Sequence, residues 1–350
     1  MLPLLAAAAA AGANSSCSLP ISTNQVVKNA RPVEISGWGV AESSEWQDRL
    51  ELAALARIMY IYGFGSDLAA QCVMARLRDE PDTMLMNEWG LFFEEATASS
   101  LVKVRFGDGT PPEGLLVAAD GSVAPSKPDV VNIGCVPVGR AIFEARPDVF
   151  SIIHAHPHAV MAVASTEAGL LPLSQASPTP RPPSSSTARA PSLRQTPSRD
   201  LHTNARTARA AQHTSALPCC RPGPEREKEK ASPRTIGRYK YDFSYGSDFE
   251  DAIAAQFAAG KRAIMLDHHG LYAVGTSARD AWFVTFHLHQ ACEVQLRAQS
   301  TGQALVMPSQ EELQRQYADM ISSPDYAYDG SREWAGCVRK LNRELPGYDV

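Results

Sequence analysis

Apolar residues return every three or four positions between Glu45 and Gly65. Leu52, Leu55, Ile58, Met59 and Tyr62 mark one helical face, and Gly63 and Gly65 close it. Three short apolar runs follow at Met84–Met86, Leu101–Val104 and Gly114–Val117, each near Gly, Pro or Asp, the boundary pattern of strands. A helix over Val138–Ala145 is stopped by Arg146-Pro147-Asp148. Phe150–His156 is rich in β-formers and is broken at Pro157. Later in the chain, Ala263–Leu266 and Leu271–Val274 read as strands joined through a turn at His269-Gly270. A long amphipathic helix then spans Ala278–Ala298. Strands alternating with helices indicate a layered α/β or α+β domain.

The pattern fails in the middle of the chain. Ala176–Arg234 holds 10 of the 25 prolines, with 11 Lys/Arg against 4 Asp/Glu and almost no large apolar residues. Such a stretch cannot bury enough surface to offset its ordering entropy, so residues 176–235 are expected to be a disordered insertion, inert or retained non-coding sequence. On this reading residues 31–175 and 236–350 make one domain. Residues 1–30 form a low-complexity or leader-like start: Met1–Ala13 is apolar and ends small-x-small, as at a signal-peptidase site, but no basic residue precedes it.

Composition and charge narrow the class. With 44% hydrophobic and 20% charged residues the chain reads as an ordinary globular protein, and its net charge of -5 gives no electrostatic reason to expect nucleic acid. No apolar run is long enough to span a bilayer as a helix. The seven cysteines are odd in number and contain no CxxC, which fits reduced thiols in the cytoplasm. Secretion or organelle targeting through residues 1–13 is the alternative.

The histidines carry the candidate chemistry. Side chains at i and i+2 of a strand share a face, so His154 and His156 can offer two imidazoles to one ion. A third imidazole from a distant turn would complete a three-nitrogen site with one coordination position open, the arrangement of catalytic zinc. An HxH pair alone is equally a coincidence of surface or core. The second pair, His268-His269 before Gly270, supplies a candidate third donor.

Several ordered motifs together resemble the class II aldolase/adducin family, in its adducin-like subgroup, with fuculose-phosphate aldolase type domains among its members. ARPDVFSIIHAHP (residues 145–157) resembles that family's signature around its HxH pair. GLFFEEATASSLVKV (90–104), GLLPLSQ (169–175), LDHHGL (266–271) and the stretches REWA (332–335) and RKLNRELP (339–346) follow in family order. The resemblance implies a three-layer α/β/α sandwich around a mixed β-sheet, assembled as a homotetramer. It further implies a divalent metal, typically zinc, held by His154, His156 and His269. That ion would polarise a substrate carbonyl and stabilise the charge developed as a carbon–carbon bond breaks. His158 and His268 are read as packing or supporting residues.

Against that pattern the chain departs at two places. The resemblance puts a catalytic Glu 19 residues before the first ligand histidine, after a pair of serines that grip phosphate; here that position is Cys135, preceded by Ile133 and Gly134. A second phosphate element falls at Ala70-Gln71-Cys72-Val73 and is lost. Gly90, Thr97, Ser99 and Ser100 survive as candidate substrate-binding residues, though turn and cap chemistry is the more ordinary explanation of them. No catalytic residue is assigned: Glu94, Glu95 and Asp267 are possible substitutes, and Cys135 is one only with a lowered pKa. Two functions follow as expectations. One is a metal-dependent, aldehyde-lyase-like protein that cleaves or isomerises a small hydroxylated carbonyl compound. The alternative is a non-catalytic module like the adducin head, with actin or spectrin as partners.

Overall fold

The computed structural model describes residues 44–65, 71–174, 236–242, 246–309, 311–313, 315–316 and 329–350. The expectations for residues 1–30 and 176–235 lie outside the described residues.

Among the described residues, nine strands make one sheet: β1 (Cys72–Arg76), β2 (Thr83–Met86), β3 (Val102–Arg105), β4 (Leu115–Val117), β5 (Val123–Pro125), β6 (Ser151–Ala155), β7 (Ile236–Tyr239), β8 (Ala263–Leu266) and β9 (Gly270–Gly275). Their spatial order is β5-β4-β3-β2-β1-β6-β9-β8-β7. Every pairing is antiparallel except β7 with β8, so the sheet is mixed. The helices are α1 (Ser44–Ile61), α2 (Cys135–Ala145), α3 (His158–Ala164), α4 (Ser247–Ala258), α5 (Ala278–Ser300) and α6 (Ser331–Glu344).

Alternation along the strands sorts the core into layers. Val73 and Ala75 of β1, Leu85 of β2 and Ile153 and Ala155 of β6 pack with α1, α5 and α6. Cys72 and Met74 of β1, Met84 and Met86 of β2, Ile152 of β6 and Tyr272 and Val274 of β9 turn to the opposite face, where α2 and α4 cover them. Ala263 and Met265 of β8 and Leu271 and Ala273 of β9 meet α3 and α5. This is an α/β/α sandwich, as expected. His154 has the same parity as Ile152 and therefore belongs to the α2–α4 face.

The sequence pattern placed α1, β2, β6, β8, β9 and α5 well. β1, β5, β7, α4 and α6 it did not identify, and α2 begins three residues earlier than expected, at Cys135. α1 is buried on nearly all sides, including Asp48 and Glu51. Both carboxylates hold the Arg78 guanidinium, and Glu51 also accepts from the Ala278 amide at 2.9 Å, the first residue of α5. The two carboxylates are buried while the guanidinium that pairs them reaches solvent, its side chain 44% exposed. They tie α1 to the β1–β2 turn and to α5 at once.

Candidate metal centre

β6 lies near the middle of the sheet, between β1 and β9, and stops where Pro157 begins the turn into α3. Its last residues deliver His154 and then, just past the strand, His156. The His154 ring is 4% exposed and stacks on Tyr272 with centroids 4.2 Å apart, because the two residues are register partners across β6 and β9. Its Nδ1 lies 3.0 Å from the carbonyl oxygen of Leu271. A carbonyl only accepts, so Nδ1 carries the hydrogen and the Nε2 of the neutral ring turns its lone pair into the site. There it meets His156 Nε2 at 3.0 Å.

The third imidazole comes from the β8–β9 turn. His268 takes a positive φ of 61°, an uncommon conformation for a residue other than glycine, and the chain reverses so that His269 faces back across β6. Its ring centroid lies 4.5 Å from that of His156, 5.2 Å from that of His154 and 4.6 Å from that of Tyr241. The candidate ligand atoms of His154, His156 and His269 all lie within 4.8 Å of one another. The turn is braced by Arg238 of β7, which donates from Nε to Asp267 Oδ1 at 2.6 Å and from Nη2 to Oδ2 at 3.2 Å. The same guanidinium donates to the Ala164 carbonyl at the end of α3 at 2.9 Å.

Gly270 is required by this geometry. A Cβ there would sit inside van der Waals contact of the Ala155 carbonyl oxygen and 2.7 Å from His156 Cδ2. The turn histidine is therefore followed by the one residue that lets β9 pass close to β6.

The electrostatics suit a cation. Burial, then the neighbouring His156 and His269, push the His154 pKa well below its usual value, and the Leu271 bond only partly offsets them. His154 is thus neutral at physiological pH, the protonation state a metal ligand needs. Three convergent nitrogen donors, one fixed in tautomer, fit a divalent transition ion.

The other sequence candidates make local contacts of their own. His158 is exposed at the first position of α3, and exposed His268 meets Ser165 Oγ at 3.0 Å. Gly90 lies in an exposed turn with φ 96°. Thr97 and Ser100 bond each other's backbone and side chain, while Ser99 Oγ donates to a Val350 oxygen at 2.9 Å. Among the proton-carrier substitutes, Asp267 is engaged by Arg238, Glu95 accepts from the Phe92 amide, and Glu94 meets Tyr60.

One expectation is corrected. The thiols are not all reduced: Cys72 and Cys135 form a disulfide across 63 residues. Cys72 faces the α2 layer and Cys135 opens α2 above it, a juxtaposition that spacing along the chain does not reveal. As a disulfide, Cys135 is not a proton carrier. Cys292 and Cys337 are free and buried. Among the described residues, no helix is long and apolar enough to cross a membrane.

A family model described as Class II Aldolase and Adducin N-terminal domain matches residues 50–296. A Caulobacter vibrioides protein, provisionally named an aldolase class 2 protein, is 29% identical over 89% of this chain and 95% of its own length. Mouse gamma-adducin is 26% identical over 71% of this chain, which spans only 26% of the adducin. Among solved structures, an aldolase II superfamily protein from Pseudomonas syringae superposes with a TM-score of 0.62 at 22% identity, covering 89% of this chain and 98% of that one. L-fuculose 1-phosphate aldolase from Glaciozyma antarctica follows with a TM-score of 0.55 at 18% identity, covering 88% and 96%. At those identities the structural likeness speaks for the fold.

Proposed function

The chain belongs to the class II aldolase and adducin family, and from that membership we propose that it is a metal-dependent lyase of the aldolase type, acting on a small hydroxylated carbonyl compound. The observation that carries this reading is the convergence of His154, His156 and His269, whose ligand atoms lie within 4.8 Å of one another. Zinc is the ion proposed, since three imidazoles with one position open is the donor set of catalytic zinc. When bound, such an ion would polarise a carbonyl oxygen and stabilise the negative charge that develops as the neighbouring carbon–carbon bond breaks.

The chain's own residues supply the rest. Leu271 and Tyr272 hold the His154 ring in one tautomer and one orientation. Arg238 and Asp267 fix the turn that presents His269. Thr97, Ser99 and Ser100 would offer hydroxyls to a substrate by exchanging the turn bonds they now make. A homotetramer is proposed as the assembly, to be read by light scattering.

The second reading is a non-catalytic module like the adducin head. What favours it is the disulfide at Cys135, the position where the resemblance expects a carboxylate. Metal analysis of purified protein, coupled to a screen for aldehyde release from sugar phosphates and their unphosphorylated relatives, separates the two. Stoichiometric zinc with aldehyde release supports the lyase. Protein that takes up no zinc on titration refutes it, and zinc without turnover leaves the binding module.

A further inference from the structure

Cys72 opens β1 and is the register partner of His154 across β1 and β6, as Tyr272 is across β6 and β9. Directly opposed residues on neighbouring strands point to one face with their Cβ atoms about 4.5–5.5 Å apart. The Cys72 side chain therefore shares a sheet face with the His154 imidazole as its direct cross-strand neighbour. Cys135 closes over it from the first position of α2, and both residues are buried, at 0% and 2% exposure. Among the described residues, the only cluster of metal-ligating side chains thus has a disulfide as its direct cross-strand neighbour.

We infer that Cys72 and Cys135 are a redox couple of the histidine centre: oxidised, they leave a three-nitrogen set with an open position, and reduced, they deliver a sulfur that closes it. The inference rests on the triad holding a divalent ion. A dithiol reductant supplies two electrons and two protons. Its own two sulfurs join as a disulfide while the Cys72–Cys135 bond opens to two thiols. One thiol then loses its proton to solvent on binding the ion. Three imidazoles with one thiolate make a closed tetrahedral set, and soft sulfur strengthens binding of zinc or cobalt. Substrate would then find its coordination position filled, so the oxidised form is the one able to accept it.

The test uses the full-length protein in two states: oxidised, and incubated natively with excess dithiol that is then removed under argon. Alkylation and peptide mass mapping should label Cys72 and Cys135 only in the second. Titration with Co2+ should give visible cobalt absorption in both states. A sulfur-to-cobalt charge-transfer band in the near ultraviolet should appear in the reduced state alone. Reduced protein should also bind on the order of tenfold more tightly, the scale on which metal sites respond to a changed partner. The double variant Cys72→Ser/Cys135→Ser should behave like oxidised wild type under both treatments. The comparison of the two wild-type states stands even where that variant does not fold.

Identical cobalt spectra and affinities in the two states overturn the inference and leave the triad standing. So does a pair that stays closed in dithiol, or a charge-transfer band that survives in the double variant. Protein that takes up no Co2+ in either state removes the triad reading and the inference with it.

Discussion

Gly270→Ala is the sharpest perturbation of the centre, because it changes no ligand and adds a single methyl group. That methyl would fall inside contact of the Ala155 carbonyl oxygen, 2.7 Å from His156 Cδ2 and 3.2 Å from the Ala155 carbonyl carbon. Two of the three atoms belong to the backbone of β6, which is held between β1 and β9, so no side-chain rotation relieves the clash. Overpacking typically costs about 1–3 kcal/mol, and an obstruction made of backbone belongs in the upper half of that range, ~2–3 kcal/mol. For a domain of this size that corresponds to a fall in Tm of about 4–12 °C. The shift must also displace His156, so zinc stoichiometry should fall below that of wild type. Thermal melts and urea titrations of metal-free protein give the first quantity, and metal analysis after dialysis gives the second. Gly336→Ala in α6 is the control: the nearest atom to its new methyl is an Arg339 nitrogen at 3.8 Å. Removing a helical glycine there should stabilise by roughly 0.5–1 kcal/mol or do nothing. A Gly270→Ala protein that melts within about 1 °C of wild type and keeps its zinc would refute the close-approach argument.

Further outcomes follow from the same geometry. The variants His158→Ala and His268→Ala should retain full zinc stoichiometry by metal analysis, whereas His154→Ala/His156→Ala should lose it and still show a cooperative melt. The pKa of His154 is lowered in the folded state, so the unfolded chain takes up a proton as pH falls below ~6.5 while the native ring does not. This contribution to stability is present above ~6.5 and is lost as pH falls toward the lowered native value. Asp48 acts oppositely: burial pushes its carboxyl up to about 6, so its contribution is present at acid pH and lost as pH rises through about 6. The difference between metal-free wild type and His154→Gln in urea midpoint, followed from pH 7.5 to about 5.5, isolates the histidine and should shrink as pH falls. Excising residues 176–234 should leave the melting temperature within about 2 °C, since that stretch holds almost no large apolar residues to contribute to a core.

How much of this was legible in the sequence depends on whether the cause was local. β6 could be read because its run of β-formers and the break at Pro157 are local signals, and α5 because its apolar stripe runs for many turns. α4 carried a readable signal, Phe249, Ile253 and Phe257 at successive i+4 positions, all buried in the structure. β7 had little to offer: four residues with one glycine, paired with β8 and tied down through the distant partners of its own Arg238. β5 is exposed along its length at the sheet's edge, so burial never shaped its pattern. The disulfide was not legible because its partners meet only through the stacking of α2 on β1.

The histidine triad shows the same division within one site. Strand periodicity alone made His154 and His156 candidates for a shared ion, and their Nε2 atoms do meet, at 3.0 Å. Nothing local singled out His269 over His268; the family resemblance did. The structure supplies the physical reason, since the strained φ of His268 turns its neighbour inward and sends His268 itself out to Ser165. The motif's glycine has its own cause: β9 must pass the Ala155 carbonyl at a distance no Cβ allows. Asp267 completes the sequence of causes, because its bidentate hold on Arg238 anchors the entrance of the turn to β7 and α3. Each residue of the run Asp267-His268-His269-Gly270 thus has a distinct duty, and the third is to face the ion site. A substitution at Asp267, Gly270 or Arg238 should therefore weaken metal binding without removing a ligand, which places the control of the centre in the turn as much as in the histidines.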